Sequence, residues 1–303
     1  MYDYYVRVCL NGEKFMSKNI MKRILCGVLA LASTSACVAT MTSCESNNPE
    51  VQLTLSFNGK TYDLEYKLFR EISPRTAKHF LWLVENEYYN GLCVHSYEEG
   101  AKKMYTGAYS YVEGGDLEYK DYYEVVKGYE NFPVSVWMEK EGDEFLYTLS
   151  GEFEDNDFTV ESGATRQTYG SLTMYYTEKN VDENVCIEYL GKKAGTRAYR
   201  DYNYNSATSL FYISLSNSST RNSNYCTFAE LLEGSKETLN SFEDDLKEYV
   251  EENYDEEDTE NTFTKEKMVT VDADDAFGSG KTTDSFFVPQ KAIVIEKIEV
   301  KKY

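Results

Sequence analysis

From residue 51 onward, hydrophobic and polar residues alternate along the chain. Val51, Leu53, Leu55 and Phe57 are separated by polar residues, Asn58-Gly59 follows, and Tyr62, Leu64, Tyr66 and Leu68 resume the same period of two. Successive side chains of a strand point to opposite faces, so each run is a strand with one buried face, and Asn-Gly supplies the positive φ angles of a two-residue hairpin. The period then changes. Ala77, Phe80, Leu81 and Val84 recur at helical spacing behind Ser73-Pro74, which predicts a helix from Pro74 to about Glu87. Ser73 is expected to cap it through its hydroxyl, and proline at the first helical position gives up no needed donor.

Shorter apolar runs predict strands at Leu92–Val94, Leu172–Tyr176 and Leu210–Leu215, and a last one over Ala292–Val300 carrying Ile293, Ile295 and Ile298. Leu239, Phe242, Leu246 and Val250 form a second helical stripe. From Ser241 to Glu260 eleven acidic residues face one lysine, so the stripe is expected to dock on a core while the acidic face stays solvated.

Ahead of this region lies an address. Lys14, Lys18, Lys22 and Arg23 precede an apolar run, Ile24–Leu31, and small residues continue to Thr40, the pattern of a secretory signal too short to span a bilayer. It ends in Met41-Thr42-Ser43-Cys44, which resembles a bacterial lipobox, with Thr34-Ser35-Ala36-Cys37 a weaker second candidate. Residues 1–44 are therefore read as signal peptide with lipobox, and 45–50 as a tether. Cys44 is the expected lipidation site, and the location is extracytoplasmic, on the bacterial cell membrane. Residues 1–15 lie upstream of the signal pattern, so Met16 or Met21 is the expected start.

Composition narrows the chemistry. The 303 residues include 52 acidic and 31 basic side chains, a formal charge of -21. Residues 1–43 hold five basic and two acidic residues, so processing leaves 26 and 50, or -24. That balance opposes nucleic-acid binding, which rests on cations that neutralise phosphates. It would also repel an anionic membrane surface, leaving the lipid on Cys44 to hold the protein there. With 42% hydrophobic residues, 28 Tyr, 15 Phe and only 4 Pro, the chain should fold and favour strands. Two histidines leave little room for a His-ligated metal or a Ser-His-Asp engine. Cys93, Cys186 and Cys226 are widely separated, so one bridge among them or three buried thiols both remain open. Asp272-Ala273-Asp274-Asp275 lacks the glycine of a calcium loop, and Gly278-Ser279-Gly280-Lys281-Thr282 lacks the first glycine of a phosphate loop.

Several segments occur in an order that resembles the cyclophilin-type peptidyl-prolyl isomerases. After the hairpin come Ile72-Ser73-Pro74-Arg75-Thr76-Ala77-Lys78-His79-Phe80-Leu81-Trp82-Leu83-Val84 and Tyr88-Tyr89-Asn90-Gly91-Leu92-Cys93-Val94-His95. Val112-Glu113-Gly114-Gly115-Asp116 resembles the family's Q-G-G-D, Gly151-Glu152-Phe153 its G-E-F, and Tyr169-Gly170-Ser171-Leu172-Thr173-Met174 its R-G-x-L-S-M. Asn205 to Ile213 resembles N-S-x-G-S-Q-F-F-I, and Tyr225 to Gly234 resembles H-x-x-F-G-x-V-x-x-G. The resemblance implies a mainly β fold over 51–301, a closed eight-stranded antiparallel barrel capped by two helices, with insertions at about 97–110, 182–203 and 247–290. It also implies proline-containing peptide or protein segments as partners, no cofactor and no metal, and a monomer.

The departures fall on the chemistry. In this family an arginine after the F-H pair donates hydrogen bonds to the substrate amide, and that position is Ser96. The glutamine before G-G-D becomes Glu113, the second phenylalanine of F-F becomes Tyr212 after Phe211, and the later histidine becomes Tyr225. These four, Ser96, Glu113, Tyr212 and Tyr225, are the substituted catalytic positions, and Tyr111, Phe211 and Arg221 are candidate binding residues. Three readings follow. Weak isomerisation could draw a cation from Arg221 or Arg166. The barrel could bind peptide or protein segments without catalysis, with Tyr111, Tyr212 and Tyr225 as amphipathic contacts. Or the tyrosines could be core and the domain a spacer. The second is favoured: an isomerase by resemblance whose turnover on exported proteins is weak or lost.

Overall fold

The chain divides between Cys44 and Glu45, and the computed structural model describes residues 48–126, 137–138, 145–146, 152, 166–175, 184–188, 197–201, 209–218, 225–255, 260–271 and 282–303 of the second unit. The first hairpin is as the alternation predicts, with β1 (Glu50–Phe57) and β2 (Lys60–Leu68) joined by Asn58 at φ 47° and Gly59 at φ 79°. Cross-strand partners Val51 and Tyr66, Leu53 and Leu64, and Leu55 and Tyr62 all lie on the buried face.

Helix α1 (Pro74–Glu85) buries Ala77, Phe80, Leu81 and Val84, but Ser73 does not cap it through its side chain. The capping group comes from far along the chain. Glu152 accepts the backbone N–H of Arg75 at 3.1 Å and of Thr76 at 2.9 Å, and the Thr76 hydroxyl donates to it at 2.9 Å. A carboxylate at a helix N-terminus completes free donors and meets the positive end of the helix dipole. Burial pushes this carboxyl upward from its ordinary pKa, against the pull of those donors.

The next strands are short: β3 (Ser96–Glu98), β4 (Lys103–Thr106), β5 (Tyr109–Val112) and β6 (Asp116–Tyr119), then the one-turn α2 (Tyr122–Val126). Strands β7 (Trp137–Met138), β8 (Phe145–Leu146), β10 (Asn184–Glu188) and β11 (Arg197–Asp201) make a separate four-stranded sheet. β9 (Leu172–Met174), β12 (Phe211–Ser214) and β13 (Thr227–Leu231) belong to the main sheet. Helix α3 (Lys236–Asn253) docks Leu239, Phe242 and Leu246 against the hairpin, Phe242 lying 5.3 Å from Tyr62 and 6.1 Å from Phe57 between ring centroids. A hairpin of β14 (Thr264–Val271) and β15 (Thr282–Pro289) follows, and β16 (Ile293–Lys302) ends the chain.

The main sheet is antiparallel and eight-stranded, in the order β16-β1-β2-β13-β9-β12-β4-β3. A bulge lets β16 serve it. Leu55 opposes Ile295 while Thr54 opposes Lys297, so the extra residue brings Ile298 back to the core face opposite Leu53.

The expected closed barrel is corrected: the ladder is open between β16 and β3. Gly91–Val94 laces to Ile293–Ile295 through three backbone bonds of 2.7 to 2.8 Å and one bridge, Cys93 with Val294. At His95 the backbone N–H turns instead to the Tyr105 carbonyl at 3.0 Å, so β3 leaves the edge of β16 and a half-barrel results.

Residues 103–106, within the segment expected as an insertion, form β4, an inner strand of the sheet. The β5–β6 hairpin lies outside that sheet, and with β15 it forms a second apolar cluster of Cys93, Ala108, Tyr109, Leu210, Phe286 and Val288. Cys93 and Cys226 are buried thiols, not joined in a disulfide. Burial raises the Cys93 thiol to about 12, which removes it as a nucleophile.

Candidate active site

The strand register sorts the sheet into two faces. Directly opposed partners share a face, and one such row runs Tyr97, Met104, Ile213, Leu172 and Ala229, pointing into the core. The next row points the other way: Ser96 opposes Tyr105, Tyr105 opposes Tyr212, Tyr212 opposes Thr173, and Thr173 opposes Thr227. The outer row is polar yet largely covered, with Ser96 and Tyr212 each 1% exposed and Thr173 wholly buried. Thr173 and Thr227 satisfy each other at 3.0 Å.

Strand β15 covers the end of this row. The backbone N–H of Phe287 donates to the Ser96 hydroxyl at 3.0 Å. Beside it, Phe286 packs on His95 at 4.7 Å and on Tyr109 at 5.7 Å between ring centroids. Ser96 thus holds a neighbouring strand in place. A serine hydroxyl carries no charge, and this one is buried beneath β15, so it offers little to a substrate amide.

The middle of the row is aromatic. Tyr212 lies 5.2 Å from Tyr105 and 6.1 Å from Tyr225 between ring centroids, and Gln167 donates to the Tyr212 hydroxyl at 2.5 Å. Over these rings sits the ammonium of Lys103, 4.5 Å from the Tyr212 centroid, 5.2 Å from Tyr225 and 6.0 Å from Tyr105. A cation over ring faces at these distances is attracted by the ring quadrupoles. Burial pushes the Tyr212 hydroxyl far above its ordinary pKa, so it is a neutral donor and acceptor and not a base.

The family model of cyclophilin type peptidyl-prolyl cis-trans isomerase/CLD matches residues 52–270. The chain belongs to this family. Two solved structures are similar to it, a cyclophilin type peptidyl-prolyl cis-trans isomerase of Cryptosporidium parvum and the same protein in the presence of the dipeptide Ala-Pro. Each is 18% identical, with 84% of this chain and 99% of the other covered, at TM-scores of 0.40 and 0.39. No curated protein matches.

Set against this cyclophilin-type pattern, the expected site residues separate into groups. Ser96, Tyr212 and Tyr225 come together on or beside the outer row. Phe211 lies on the inner face, packed on Phe80 at 5.6 Å and Tyr89 at 5.4 Å. Glu113 sits at the β5–β6 turn, followed by Gly114 and Gly115 at φ 90° and 80°. That turn meets Gln290 and Lys267, the latter bonding the Gly115 carbonyl and pairing with Asp116 at 2.9 Å. Tyr111 donates to the Gln290 carbonyl at 2.8 Å, beside the second cluster. Arg221 and Cys44 lie outside the described residues. Arg166 is exposed.

Lys103, Tyr105 and Gln167 were not singled out from the sequence. The signal for Tyr105 was there in principle: once Lys103–Thr106 is a strand opposite Phe211–Ser214, Tyr105 must share a face with Tyr212. A groove of about 1010 Å³ between α3 and the 97–102 turn is lined by Tyr97, Leu246, Phe263, Glu243 and Asp255. Ser96 and Tyr97 alternate in β3, so this groove belongs to the other face of the strand. Among the described residues no cluster of three or more His, Cys, Asp or Glu is placed to hold a metal.

Proposed function

We propose that this chain is a cyclophilin-type domain that binds proline-containing segments of exported proteins, with isomerase turnover weak or lost. The observation that carries this reading is the hydrogen bond from the Phe287 N–H to Ser96, at the position where the family pattern has its arginine. Turning a prolyl bond means crossing a barrier of roughly 18–20 kcal/mol set by amide resonance, and weakening that resonance takes a preorganised donor aimed at the amide. The remaining tyrosines suit a different task. Tyr105 and Tyr225, half-buried on either side of the buried Tyr212, present apolar rings with polar ends, which is what contact with a prolyl ring and its flanking amides requires.

A protease-coupled assay with a proline peptide tests this on the full chain. Little or no acceleration is expected, together with saturable peptide binding that Tyr225→Ala weakens. Robust turnover, lost when the site is blocked, would restore the enzyme. The protein is proposed to act as a monomer outside the cytoplasm, held to the membrane by lipid on Cys44. Metabolic labelling with a fatty acid should mark the wild type and not Cys44→Ala, and persistent label on that variant defeats the anchor.

A further inference from the structure

Lys103, like Lys120 and Lys291, lies over tyrosine rings, and it alone of these three lies over more than one. Lys60, Lys67, Lys236, Lys267 and Lys302 each lie within 3.0 Å of a carboxylate. Lys103 pairs with none among the described residues, although Glu98 is its cross-strand partner and the chain holds 52 acidic residues against 31 basic. Its ammonium instead lies over Tyr212 and Tyr225, on the same face of the sheet as Ser96.

A group packed against Tyr225 and Tyr105, the half-buried rings of this face, must therefore meet this charge. The lysine stem is flexible and its charge compact, so the ammonium can leave the ring to an incoming prolyl side and still reach an oxygen next to it. The amide carbonyls of any peptide offer a partial charge there. A carboxylate offers a full one.

We propose that Lys103 is the specificity-determining residue of this site and selects prolines followed by a carboxylate. That group is either the C-terminal carboxylate of a terminal proline or the side chain of an acidic residue after it. This inference rests on the reading of the site as a proline binder. It sets the preference of that site by a contact local enough to work against the overall negative charge, which salt screens beyond about 10 Å.

The test is calorimetric titration of the full chain with four probes. Ala-Pro and its C-terminal amide examine the chain terminus, and Ala-Pro-Glu-amide and Ala-Pro-Gln-amide examine the side chain. In the wild type at least one charged probe should bind about fivefold tighter than its neutral counterpart, the scale of a partly exposed ion pair. The pair showing the preference identifies the source of the carboxylate. Lys103→Met should bring the ratio to one, Lys103→Arg should keep it, and raising salt should shrink it in the wild type. Should Lys103→Met fail to fold, Lys103→Arg and the salt series still decide. Equal binding of charged and neutral probes by the wild type, or a preference that survives in Lys103→Met, overturns the role of Lys103 while leaving the proline site standing. If the wild type binds none of the probes, the proline-binding reading falls with it.

Discussion

Ser96 and Phe287 are 191 positions apart and joined by one hydrogen bond, from the backbone N–H of Phe287 to the Ser96 hydroxyl at 3.0 Å. The bond ties the β14–β15 hairpin to the edge strand of the half-barrel. Ser96 is buried beneath that strand, so a long side chain at residue 96 would have to displace it. Restoring the family's arginine at this position should therefore not restore catalysis.

Ser96→Arg is expected to cost about 2 kcal/mol or more, since it places an unpaired charge in a site that is 1% exposed. Ser96→Ala should cost about 1 kcal/mol, the worth of one hydrogen bond. Urea melts give both values. The protease-coupled assay should find Ser96→Arg no faster than the wild type, and clear turnover by a well-folded Ser96→Arg would show that β15 does not close the site.

His95 makes the fold sensitive to acid. Burial between Tyr109 and Phe286 lowers its pKa from the ordinary 6.5 to about 3. Above pH 6.5 the ring is neutral in both states and contributes no pH dependence. As pH falls below 6.5 the unfolded chain takes up a proton that the folded chain refuses, so stability drops by about 1.4 kcal/mol per pH unit until the folded value is reached. Comparing urea midpoints of wild type and His95→Phe from pH 7 to pH 4 isolates this slope. Parallel curves for the two proteins would remove the assignment.

Glu152 caps a helix 76 positions upstream through its bonds to Arg75 and Thr76. Glu152→Ala should lose about 1–2 kcal/mol, the usual cost of deleting a cap. Hydrogen exchange adds a local readout, because the amides of residues 75 and 76 should lose protection before the rest of α1. Uniform loss across the sheet, with those two amides unchanged, would count against the cap.

Two glycines with similar backbone angles should respond differently to substitution. At Gly107, φ 104°, an added Cβ would lie 2.3 Å from the Ser209 carbonyl oxygen, whereas at Gly114, φ 90°, nothing lies within 4 Å. Gly114→Ala carries only the conformational cost of about 1 kcal/mol. Gly107→Ala must also move a backbone oxygen and should cost about 3 kcal/mol or more. Thermal melts that rank the two the other way would contradict this packing between β4 and the start of β12.

Local patterns in the sequence determined the elements that carry their own signals. Alternation and Asn58-Gly59 specify the first hairpin, because a period of two and a pair of positive φ angles admit few other shapes. The stripe of Leu239, Phe242 and Leu246 specifies a docked helix for the same kind of reason. The ordered motifs also identify the family and point to Ser96, Tyr212 and Tyr225.

Only the tertiary structure decided which of those positions meet. Ser73 looked like a cap on local grounds, but Glu152 arrives from elsewhere in the chain to bond the same helix end. The barrel stays open because β3 leaves the edge of β16 at His95, a choice between two backbone acceptors that no period in the sequence encodes. Lys103 and Tyr105 join the site because strand register sets which side chains share a face, and a shift of one residue would have sent Tyr105 into the core. Local periodicity is written in neighbouring residues. Register, closure and the tie between Ser96 and Phe287 depend on segments that meet only when the sheet forms.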